Sequence, residues 1–165
     1  MRRDLLCPSC GATVEAYRNP VPTADMIIEL TGGGQPGPVV LVRRANPPLG
    51  WALPGGFVDY GESAAHAARR EALEETGLRV EVLALIGVYG RPERDPRQHT
   101  ITTAYAGRAS GQPIAGDDAA AVAAFALDKL PPDICFDHRQ ILDDYRAWRL
   151  GLRPAAPVSA MELME

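Results

Sequence analysis

Residues 70–77 read REALEETG and set Glu71, Glu74 and Glu75 within one turn of chain. On a helix, spacings of three and four bring these carboxylates within about 100° of one face. Like charges so placed destabilise a helix by roughly 0.2 to 0.5 kcal/mol per pair, so something must offset their repulsion. Two readings are open from the triplet alone. One is a solvated face screened by Arg69 and Arg70. The other is a divalent cation: clustered carboxylate oxygens are the ligands Mg²⁺ prefers, and Mg²⁺ keeps positions open for water and substrate phosphates. The residues upstream decide between them.

Those acids need elements to position them. Residues 62–76 are alanine-rich helix formers closed by Gly77, where a helix C-terminal glycine belongs. PTADMIIEL and VVLVRR read as two strands joined by a glycine- and proline-rich turn, and WALPGGFV as a short strand broken at Pro54, Gly55 and Gly56. RVEVLALIGVY, HTITTAYAGR and AVAAFAL read as further strands, and DICFDHRQILDDYRAWRL carries apolar residues at near-helical spacing. The pattern predicts an α/β sandwich with a central mixed sheet. Residues 1–20 form a short head, 21–150 the body and 151–165 a tail, with both ends expected to be loosely ordered. At 165 residues, 46% of them hydrophobic, the chain suits one cored body. Its net charge of −4 speaks against nucleic acid, and no apolar run approaches the ~18 residues of a membrane span. Three cysteines make no disulfide framework, so a cytoplasmic location is expected.

From Gly56 to Leu78 the sequence is GFVDYGESAAHAARREALEETGL, which fits Gx5Ex7REUxEExGU with Gly56, Glu62, Arg70, Glu71, Glu74, Glu75 and Gly77 in place. This stretch resembles the Nudix box. The resemblance covers about residues 20–150 and implies an α/β/α sandwich that hydrolyses the pyrophosphate of a nucleoside diphosphate derivative with Mg²⁺ or Mn²⁺. Carried onto this chain, Glu71, Glu74 and Glu75 would hold the metal, Gly55 would add a backbone carbonyl, Arg70 would orient Glu71, and Glu62 would support the site. Glu71 is one candidate general base; Asp117, Asp118, Glu93 and Asp95 are the alternatives from later loops, where acids beside Gly and Pro also serve as ordinary turn residues.

The flanking residues look most like the ADP-ribose pyrophosphatase branch, which splits ADP-ribose into AMP and ribose 5-phosphate; Pro92, 15 residues past Gly77, matches a marker of that branch. Arg43, Arg44, Arg91, Arg94 and Arg97 are candidate phosphate contacts, Tyr89 or Trp51 a stacking partner for adenine, and His99 a further substrate contact. Solvated strand ends and core packing explain the same residue types equally well. Two other functions stay open: a nucleotide-pool sanitising pyrophosphohydrolase for oxidised dNTPs, which shares the box, and an ADP-ribose-binding sensor, although such sensors often carry a damaged box and an added DNA-binding module, whereas this box is intact and no segment reads as such a module. The branch often shares sites between subunits, which admits a homodimer. Cys7 and Cys10 in CPSCG form half of a zinc ribbon; a closed site needs four ligands, and only Cys135 with His138, or a second copy of the knuckle, would supply them. Zinc is therefore not expected.

Overall fold

The computed structural model describes residues 2–32, 36–116 and 119–156. At the N-terminus, β1 (Arg2–Leu6) and β2 (Thr13–Tyr17) form an antiparallel hairpin of their own. Cys7 N–H donates to Ala12 C=O and Gly11 N–H to Cys7 C=O, both at 2.9 Å, so the knuckle is the hairpin's turn. Low apolar content hid these strands from the sequence.

The body is a seven-stranded mixed sheet. Its axis is β3 (Val21–Leu30), buried from Ala24 to Glu29 because layers cover both of its faces. Beside it lies β4 (Val39–Arg44), which pairs with β5 (Trp51–Ala52), while β6 (Gly55–Phe57) pairs with the first half of β3. After helix α1 (Ala64–Thr76) come β7 (Glu81–Tyr89), β8 (Thr100–Ala109) and β9 (Ala119–Phe125). β8 runs parallel to β3 over ten residue pairs, from Val21↔Thr100 to Leu30↔Ala109; the other pairings are antiparallel.

A strand's period of two splits β3 between two cores. Met26 and Ile28 meet Ala65, Ala68 and Ala72 of α1, whose methyl-sized side chains let the helix axis approach the sheet. Ile27 faces the opposite side, where Ile141, Leu142 and Tyr145 of α2 (His138–Arg149) cover Leu41, Ala104 and Ala106. The predicted α/β/α sandwich is thus the observed one.

Both ends of α1 follow from local chemistry. Ser63 Oγ accepts the His66 N–H at 3.2 Å as the N-cap, and Gly77 at φ 69° ends the helix with its N–H on Leu73 C=O. α2 begins later than its apolar spacing predicts. Residues 133–135 run beside Trp51 as extended chain, and Phe136 at φ 58° turns the backbone into the helix. Among the described residues no helix is long and apolar enough to cross a membrane.

Candidate active site

The acidic helix carries its own counterion. Arg70 Nε and Nη2 donate to the two Glu62 carboxylate oxygens, each at 3.0 Å. Its Nη1 reaches Glu71 at 2.9 Å and Glu74 at 3.1 Å, and Nη2 also donates to Phe57 C=O at 3.0 Å. One guanidinium therefore binds three carboxylates and the strand β6 in front of them. Hydrogen bonds from Arg70 hold Glu62 below the ordinary carboxylate range, and these bonds raise Arg70 in turn. Glu62 is fixed further by the Asp59 N–H and by His66 Nδ1, 2.9 Å away, so His66 contributes to the acidic face.

Glu75 lies outside the reach of Arg70. Its Oε2 accepts the Gly55 N–H at 3.0 Å, yet burial and the negative charges of Glu71 and Asp25 push its carboxyl up to about 7. Burial also raises Glu71, despite the hydrogen bond from Arg70. Two glycines make this crowding possible. A Cβ on Gly56 would stand 2.3 Å from Glu71 Oε1, and one on Gly55 would stand 2.4 Å from Asp25 Oδ1. The pairing of β6 with β3 places Gly55 opposite Asp25 and Gly56 opposite Ala24, so the backbone passes between acids with no side chain in the way.

Glu75 and Asp25 border an open cleft of about 180 Å³ that carries side chains of both charges. Glu75, Gly55 and Gly56 line it together with Arg44, Arg94, Arg97 and Phe136. Underneath, Arg94 is gripped by Asp137 at 2.7 and 3.0 Å and by Thr100 at 2.8 Å, and Asp25 accepts from Thr102 at 2.6 Å. His138 Nδ1 accepts the Leu53 N–H at 2.9 Å, and burial lowers its pKa. That bond fixes the chain just before Gly55. Thr23 Oγ1, on the cleft wall, is buried without a protein partner, a polar atom left for a bound molecule.

The donor set suits a divalent cation. Three oxygen donors crowd one helix face, the charged forms of two of them are disfavoured, and a glycine cradle brings one against the backbone. Among the described residues no three of them converge on one point, because Glu71 and Glu74 turn to Arg70.

The NUDIX domain family matches residues 20–145. The chain belongs to the Nudix family of pyrophosphohydrolases. An ADP-ribose pyrophosphatase of Methanocaldococcus jannaschii is 41% identical over 138 residues, covering 82% of this chain and 78% of the relative. A putative 8-oxo-dGTP diphosphatase of Bacillus subtilis is 39% identical over 109 residues, covering 66% and 70%. The Nudix domain of Shewanella oneidensis NrtR, solved in complex with ADP-ribose, superimposes with a TM-score of 0.66 at 27% identity, covering 80% of this chain and 90% of that one.

Within this Nudix fold the other residues singled out from the sequence scatter. Arg44 and Arg97 line the cleft, Arg97 held by Asp95 at 2.8 and 3.0 Å. Arg43 instead pairs with Asp133 and lies over Trp51, whose ring packs edge-on against Phe125. Tyr89 sits in the core beneath α2 and donates to Asp144 at 2.7 Å, which removes it from the cleft. A strand's alternation turns that ring inward; its neighbour Val88 faces solvent. His99 Nε2 meets Gly90 C=O at 3.0 Å beside Asn19 and Val21, away from the acids. Glu93 pairs with Arg91 on an exposed loop. Asp117 and Asp118 lie outside the described residues. Cys135 donates to Pro48 C=O and His138 serves Leu53, so neither joins Cys7 and Cys10 in a four-ligand site. Gly55 meets Glu75 through its N–H. Phe136 and Asp25 escaped notice in the sequence, since a phenylalanine before a helix and a strand aspartate are ordinary core and cap signals.

Proposed function

We propose that this protein hydrolyses the pyrophosphate bond of ADP-ribose, giving AMP and ribose 5-phosphate, with Mg²⁺ or Mn²⁺ held by Glu71, Glu74 and Glu75. The observation that carries the reading is one cleft that Glu75 of the acidic helix lines together with the guanidiniums of Arg44 and Arg97. A diphosphate needs both, carboxylates to host the cation and guanidiniums to meet anionic oxygens directly. A bound divalent cation would neutralise phosphate oxygens and lower the pKa of a coordinated water. The protein's own work is positional. Arg70 fixes Glu71, Gly56 lets that carboxylate approach the backbone, and the adjacent Gly55 N–H of β6 holds Glu75. Glu71, close against the backbone at Gly56, accepts the proton of the attacking water, whereas Glu93 lies exposed and paired with Arg91.

The 41% identity to an ADP-ribose pyrophosphatase supports this substrate; the 39% identical relative supports a second reading, an oxidised purine nucleoside triphosphate at the same site. Hydrolysis of ADP-ribose, NADH, GDP-mannose, dGTP and 8-oxo-dGTP with Mg²⁺ separates them. ADP-ribose should give the largest kcat/KM, with AMP as product; preference for 8-oxo-dGTP would move the assignment to the second reading, and ADP-ribose binding without turnover would make the protein a sensor.

A further inference from the structure

We propose that Phe136 is the stacking surface for the substrate's purine base, with Arg97 closing over the base from the other side. The inference rests on the functional reading above for the location of the diphosphate, and it deepens that reading by naming where the nucleoside is read. Phe136 is the one non-glycine among the described residues with positive φ, at 58°. A bulky aromatic rarely adopts this conformation, and residues held in it cluster at ligand sites.

Three neighbours hold the turn in place. Cys135 N–H bonds to Trp51 C=O at 2.8 Å, Asp137 takes Arg94 in a two-pronged pair, and His138 takes the Leu53 N–H. These bonds fix the chain on either side of 136, and the ring lines the cleft.

The surroundings of the ring fit a planar heterocycle. The Arg44 guanidinium carbon lies 5.0 Å from the ring centroid and that of Arg97 5.4 Å. Arg44 is pinned by its Nε to Pro48 C=O at 2.8 Å. Arg97 has a side chain 45% exposed and is anchored only at Asp95, so it is the one able to lift and readmit a flat group beneath it. Guanidinium planes and aromatic rings both stack on purines. The remaining aromatics are less suitable. Trp51 does not line the cleft, Tyr89 is in the core, and Phe57 ends β6 beside the acids, where the reacting phosphates belong. A base is separated from its diphosphate by a ribose, so its platform must be a lining residue other than the carboxylates and the ring beside them, and Phe136, on the segment that leads into α2, is such a residue.

The test uses the two products as probes on the full chain with Mg²⁺: AMP carries the base and ribose 5-phosphate does not. Calorimetric titration should show Phe136→Leu weakening AMP about tenfold while ribose 5-phosphate changes less than twofold. Phe136→Tyr should restore AMP affinity. Phe136→Asn, a residue that tolerates left-handed backbone, should keep the melting temperature within a few degrees and still lose AMP selectively. Equal losses for both probes, or undiminished AMP binding in Phe136→Leu and Phe136→Asn, would overturn the inference. Wild-type turnover of ADP-ribose is scored separately: selective AMP loss without such turnover leaves Phe136 as the base platform and removes the substrate assignment, and turnover with unchanged AMP binding does the reverse.

Discussion

Arg70 and Glu62 face each other through two parallel hydrogen bonds of 3.0 Å, one from Nε and one from Nη2. That fork leaves Nη1 free to point at Glu71 and Glu74, so a residue eight positions earlier sets the direction of the arginine that holds two proposed metal ligands. A point charge in place of the fork would keep the electrostatics and lose the direction.

Arg70→Lys should therefore lower kcat by about 10² while leaving the protein folded, with a stability loss of about 2 kcal/mol from the lost charge-assisted bonds. Steady-state hydrolysis and urea unfolding check both figures. Activity within threefold of wild type would mean that Glu71 needs no orienting partner.

Gly56→Ala puts a methyl where Glu71 Oε1 now lies, 2.3 Å away. The carboxylate must move, and β6 is too short to yield without leaving β3. A kcat reduced by about 10² with KM little changed is expected, since misplacing a catalytic group by about 1 Å costs that much. A large rise in KM instead would place Gly56 in substrate binding.

Glu75 bears a charge that its surroundings disfavour, because burial and the neighbouring acids raise its carboxyl to about 7. Glu75→Gln should consequently leave the metal-free melting temperature equal or higher at pH 8, yet abolish both activity and the upward shift in melting temperature that Mg²⁺ gives the wild type. Thermal scans with and without Mg²⁺ would show it; an undiminished Mg²⁺ shift in the variant would exclude Glu75 as a ligand.

Far from the cleft, Glu29 lies buried beneath α2, bonded to Tyr145 Oη, to the Gly37 N–H at 3.3 Å and to Arg149 at 3.1 Å. Burial alone would raise its pKa; the bonds from Tyr145 and Gly37 and the charge of Arg149 outweigh it and leave the carboxyl below its usual range. A depressed folded-state pKa stabilises above the unfolded value of about 4.3 and is lost as pH falls through the folded value. Glu29→Gln should melt several degrees below wild type at pH 7, and the gap should close below about pH 4. A gap that is constant with pH would make the loss one of packing alone.

The acidic triplet, the glycine at 56 and the arginine at 70 were legible in the chain because they act through local geometry. Helix periodicity alone puts Glu71, Glu74 and Glu75 on one face, and Gly77 ends the helix wherever the sheet lies. Likewise the two core-forming faces of β3 follow from alternation along VPTADMIIEL. The rest of the cleft follows from no such rule. Phe136 is 80 residues from Gly56, and only the parallel course of residues 133–135 beside Trp51 brings it there. Asp25 meets His138 and Arg94 for the same reason, through strand pairing and helix placement. Tyr89 and Arg43 had suitable side chains and the wrong directions: strand alternation turned Tyr89 into the core, and an ion pair drew Arg43 to Asp133. By itself the sequence determined the family, the layered fold and the acidic half of the site, whose residues are neighbours along one helix. Tertiary structure alone decided which arginines and which aromatic ring share the cleft with Glu75, because contacts between residues distant in the chain depend on how the layers close.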